Sequence, residues 1–113
     1  VFQGGFEDGS FGGFLNTVDF SDCTNTPLST LIVHGLADGV VPFVPYGQDA
    51  IAFWLNSGSC QSQSQASPLN ADCREFIGCD GVDVVLCDPP GVGHEVWDPF
   101  GPGVLDAFLR RFF

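Results

Sequence analysis

Two loops of this chain carry side chains that could move a proton together: Asp38, in residues 31–42 (LIVHGLADGVVP), and His94, in residues 90–97 (PGVGHEVW). Each alone has an ordinary explanation. An Asp in a loop caps a coming helix or satisfies the loop backbone, and a lone His is most often a surface or core-edge residue. As a pair they mean more. A carboxylate that accepts a ring N–H fixes the imidazole tautomer and stabilises the imidazolium, which frees the other ring nitrogen to act as a general base.

Such a pair works only if the fold brings the two loops to one place. Residues 26–34 (TPLSTLIVH) predict a strand with a continuous apolar run, the pattern of a strand buried on both faces of a parallel sheet. Residues 46–57 predict a helix, with Tyr46, Ala50, Phe53 and Trp54 at helical spacing and Gly58 as the stop. Residues 58–72 are Ser/Gln-rich and read as a solvated loop. A second strand follows over 82–87 (VDVVLC). The closing helix is expected over 103–113, with Val104, Leu105, Phe108, Leu109 and Phe112 on one face and Arg110 and Arg111 favouring the C-terminal end of its dipole. Strand, helix, strand, helix is an α/β order, with the two strands parallel and joined by a right-handed crossover. In such sheets functional groups gather beyond the carboxyl ends of the strands, where Asp38 and His94 both lie. Residues 1–26 are Gly-rich and read as an excursion loop, with a strand end at Val1 and Phe2.

Five cysteines in 113 residues is dense. Cys60, Cys73, Cys79 and Cys87 have neither CxxC spacing nor nearby His, so disulfides are preferred to zinc. A 79–87 bridge would require the strand between them to bend. A hairpin over Asp80-Gly81 would instead set Cys73 near Cys87 and leave Cys60 for Cys79, and this second pairing is favoured. Cys23 is left over, either free or bonded to a partner outside the chain.

At these motifs the chain resembles a family of α/β-hydrolase serine esterases that includes feruloyl esterases, acetylxylan esterases and polyhydroxybutyrate depolymerases. HGLADGVVPF resembles the segment that carries the family's acid, and FWLNSGSC the helix after it. CREFIGCDGVDVVLC resembles the Cys-rich lead into the last strand, and GVGHEVWDPFGPGVLDAFLRRFF the His loop and closing helix. The match spans about residues 26–113. The resemblance implies the C-terminal portion of an α/β-hydrolase parallel sheet with flanking helices, incomplete as a domain. It also implies Asp38 as triad acid, His94 as triad base, and Val40, Val41 and Trp97 beside the substrate. The family's chain order is serine, acid, His, with the serine in G-x-S-x-G on a strand-to-helix turn. Here Asp8-Gly9-Ser10-Phe11-Gly12 is the nearest approach. It has Asp in place of the first Gly, no strand before it, and too few residues before Asp38 for an elbow helix and another strand. Ser10 is therefore an outside candidate, and the nucleophile is expected from elsewhere.

The implied activity is hydrolysis of a feruloyl or acetyl ester or a short polyester, with no cofactor or metal. A single α/β domain of this kind needs about 200–250 residues, so an N-terminal segment of the same domain is the expected partner, disulfide-linked through Cys23 if that thiol is not free. The net charge of −11, with Arg74, Arg110 and Arg111 as the cations, opposes nucleic-acid and anionic-membrane binding. Acidity and cysteine usage together point to a secreted protein. Two rivals exist: a non-catalytic secreted binding or structural module reusing half of the fold, and a calcium-binding module resting only on scattered Asp residues.

Overall fold

The computed structural model describes Phe2–Gln3 and residues 27–113. Its centre is the strand β2 (Thr30–Val33), with every residue buried. Beside it, in parallel register from Thr30 opposite Val84 to Val33 opposite Cys87, lies β5 (Val84–Cys87), also fully buried. A strand buried along its whole length needs cover on both faces, and two helices supply it. Leu31, Val33, Val85 and Cys87 point to one face, where they meet Trp97, Val104 and Phe108. Val104 and Phe108 belong to the helix α2 (Phe100–Leu109). Leu86 points to the other face, where it borders Ile51 and Leu55 of the helix α1 (Gln48–Ser57).

The sheet is mixed. A short strand β1 (Phe2–Gln3) pairs in parallel with β2 on the side away from β5. On the other side, β4 (Cys73–Phe76) runs antiparallel to β5, and β3 (Ser64–Ala66) antiparallel to β4. This small α/β protein thus has the parallel pair expected from its two apolar runs. The hairpin β3–β4 is a correction, since Ser64–Ala66 falls inside the segment read as a loop. All three of its residues are exposed, so no apolar alternation marks them. Tertiary ties hold the hairpin instead. Cys73 lies directly opposite Cys87 and is bonded to it. Ser67 Oγ donates to Glu75 Oε2 at 2.7 Å, and Arg74 meets Asp88 at 2.7 Å. The second disulfide joins Cys60 to Cys79. These are the two pairs favoured on the hairpin argument, and Gly81 of the Asp80-Gly81 turn has a φ of +74°.

Some helix ends also differ from expectation. α1 begins at Gln48, two residues after Tyr46, because the chain first turns through residues 43–47 around Pro45. The chain ends α1 at Ser57 with Gly58 as the C-cap, as expected, and the left-handed residue is the following Ser59, with a φ of +55°. Gly58 matters for space: a Cβ there would lie 3.0 Å from Val82 and 3.1 Å from Cys60 Sγ. α2 starts at Phe100 rather than Gly103. Pro102 sits in its first turn, where a missing N–H costs nothing. The helix stops at Leu109, which is exposed, as is Phe112. Arg110, the C-cap residue, and Arg111 stand at the C-terminal end of the helix, as expected. Arg110 pairs with Asp106 on the surface at 2.7 Å, while Arg111 turns back to Glu75 of β4 and to Asp83 before β5.

Candidate acid–base site

β2 and β5 are parallel, so the loops that follow them leave the same end of the sheet. Main-chain hydrogen bonds then join the two loops. Leu36 N–H donates to Pro89 O at 3.0 Å and Ala37 N–H to Val92 O at 3.0 Å. This approach demands a glycine at 35, because a Cβ there would lie 2.0 Å from the Val92 carbonyl oxygen. Gly35, just past β2, is thus a packing requirement of the site.

Joined this way, the loops bring Asp38 and His94 into contact across 56 residues of sequence: His94 Nδ1 stands 3.1 Å from Asp38 Oδ2. Each oxygen of the carboxylate has its own task. Oδ1 accepts the backbone N–H groups of Val40 at 2.9 Å and Val41 at 2.8 Å, while Oδ2 faces His94. The Asp38 side chain is fully buried and that of His94 is 24 % exposed. Burial pushes the Asp38 carboxyl up, but the Val41 N–H, His94 and the Val40 N–H together outweigh it and hold the carboxyl below its ordinary value. An ionised carboxylate only accepts, so the His94 proton belongs on Nδ1 and the Nε2 lone pair is left available. Among the described residues nothing hydrogen-bonds Nε2. The arrangement can take a proton from a group placed at Nε2 and return it.

A third group completes the site. His34, at the end of β2, is buried, and its Nε2 lies 2.6 Å from Val41 O and 3.7 Å from Asp38 Oδ2. Its ring stands perpendicular to that of Phe43, with centroids 5.5 Å apart. Neither His34 nor the Val40 and Val41 amides were singled out as site groups from sequence. The signal available was the spacing His34-Gly35, two residues, Asp38.

Other expected site residues are placed differently. Val41 and Trp97 are buried, Trp97 in the core against Val104 and Phe108. Val40 alone of the three is exposed. Neither of two surface clefts, one around Arg74 and Asp88 and one between Phe43, Leu55 and Phe76, is lined by any of them. Val41 serves the site through its main chain and Trp97 through the packing beneath the His loop. Ser10 and Cys23 lie outside the described residues. Among the described residues no group of three or more His, Cys, Asp or Glu side chains could hold a metal ion, and no helix is long and apolar enough to cross a membrane. No protein-family model matches the chain, and no curated protein matches it.

Proposed function

We propose that this chain supplies the acid and the base of a secreted serine carboxylic-ester hydrolase, acting on a feruloyl or acetyl ester or a short polyester. The observation that carries the reading is the contact of His94 Nδ1 with Asp38 Oδ2 at 3.1 Å, made by a buried carboxylate whose other oxygen is already held by two amides. In the proposed reaction His94 Nε2 takes the proton of a serine hydroxyl as its oxygen attacks the ester carbonyl. His94 then passes that proton to the leaving alcohol, and the cycle repeats with water to release the acid. Asp38 holds His94 in the Nδ1–H tautomer and offsets its positive charge. The serine and the oxyanion-hole amides come from an N-terminal segment of the same domain. The two disulfides and the acidic composition fit an oxidising, extracellular setting.

One observation favours the rival, a non-catalytic secreted module: Val41 and Trp97 are buried where a substrate-lining role would have them open. Fluorophosphonate labelling of the native material, read by intact mass after reduction, decides. An adduct on a serine outside this 113-residue chain is the expected result. An adduct within the chain, on Ser10 or any other serine, would overturn the reading, and the absence of any adduct would hand the protein to the non-catalytic reading.

A further inference from the structure

We propose that His34 is a positioning residue for the acid–base pair: by donating from Nε2 to the Val41 carbonyl it locks the turn that aims Asp38 at His94. The inference rests on Asp38 and His94 being the working pair. A carbonyl oxygen only accepts, so the 2.6 Å contact with Val41 O requires the proton on His34 Nε2. Val41 is then gripped from both sides of its peptide units. Its C=O is held by His34 and its N–H by Asp38 Oδ1 at 2.8 Å. The turn from 38 to 41 cannot open without breaking both.

The same nitrogen lies 3.7 Å from Asp38 Oδ2, against 3.1 Å for His94 Nδ1. His34 therefore stands beside the catalytic oxygen while spending its proton elsewhere, and Oδ2 is left to accept from His94. Burial of His34 and its perpendicular contact with the Phe43 ring fix the direction of that donor. A second donor competing for Oδ2 would weaken the tautomer lock on His94. Sending that donor to Val41 turns a potential competitor into a clamp.

The test is nitrogen-15 NMR of the imidazole rings in the 113-residue chain, whose two histidines become one when His34 is replaced. In the unaltered chain the expected protons are on Nε2 of His34 and Nδ1 of His94. His34→Leu removes the donor and keeps apolar bulk. It should reduce the Nδ1–H tautomer of His94 to a minority species and let the Asp38 carboxyl titrate closer to its ordinary value. His34→Gln, whose amide can donate to Val41 O, should restore both. A proton on Nδ1 of His34 in the unaltered chain overturns the proposal, as does a folded His34→Leu with His94 unchanged. Should the Leu variant not fold, a folded Gln variant that loses the His94 signature overturns it equally. Asp38→Asn separates the two ideas. If it leaves the His94 tautomer unmoved, the acid–base reading itself fails. If it shifts the tautomer while folded His34→Leu does not, only the role of His34 fails.

Discussion

At the scale of single residues, Asp38 has the most to lose. Its carboxylate is buried, a condition that alone favours the neutral acid, yet three hydrogen bonds hold it ionised. A carboxyl whose folded pKa lies below its unfolded one contributes stability that is fully present above the unfolded value, here 3.8. That contribution is lost as pH falls through the folded value. Glu75, held down chiefly by Arg111, acts in the same direction. Unfolding midpoints followed from pH 6 to pH 2 should therefore fall in the unaltered chain, and fall less in Asp38→Asn, which has no carboxylate to protonate. Equal acid slopes for the two proteins would show that Asp38 is not held as described. The pairing of Asp38 with His94 was legible in the sequence, because both follow apolar runs that had to be parallel strands. The clamp on Asp38 was not. It is built from the amides and carbonyl of Val40 and Val41, and main-chain groups leave no signature in residue type.

Among the elements, the contrast lies between the two halves of the sheet. β2 and β5 announce themselves as LIV and VVL runs, since strands buried on both faces have no room for polar residues. The hairpin β3–β4 is hidden in Ser, Gln and Ala, since an exposed edge strand is best made polar and short. Its stability comes from the Cys73–Cys87 bond to β5 and from Arg111, which ties the end of α2 to Glu75. The cysteine spacing carried that information where hydropathy did not. With its ends 14 positions apart in sequence, this crosslink constrains the unfolded chain by about 3 kcal/mol. Replacing both Cys73 and Cys87 by Ala should lower the unfolding free energy, read from the denaturant midpoint and slope, by that order. The His94 tautomer should persist, because the Asp38 and His94 loops hang from β2 and β5 and are joined by Leu36 and Ala37, not by the hairpin. Loss of the tautomer in the still-folded double variant would mean that the hairpin, too, positions the site.

For the whole molecule, the two borders of the sheet are unequal. On the β3 side the border is short, polar and exposed, a form that resists further pairing. On the other side β1 pairs only with Ile32 and Val33, so among the described residues Thr30 and Leu31 have no strand neighbour there. Any further strand of the proposed hydrolase domain belongs on that side. A separate apolar surface lies beyond the carboxyl ends of the strands. Leu36, Val40, Val44, Val96 and Phe100 are all exposed, and all lie on or beside the loops that carry Asp38 and His94. Exposed apolar side chains gathered at one end of the sheet should bind a hydrophobic dye. The net charge of −11 should keep copies apart in solution, so dye binding rather than precipitation is the expected sign. At micromolar concentration the 113-residue chain should enhance dye fluorescence saturably, and an added N-terminal segment that completes the domain should suppress it. A monodisperse, cooperatively melting chain that ignores the dye would show these side chains to be ordinary surface. The sheet would then be complete as it stands, and the proposal that a serine arrives from another segment would lose its physical motive.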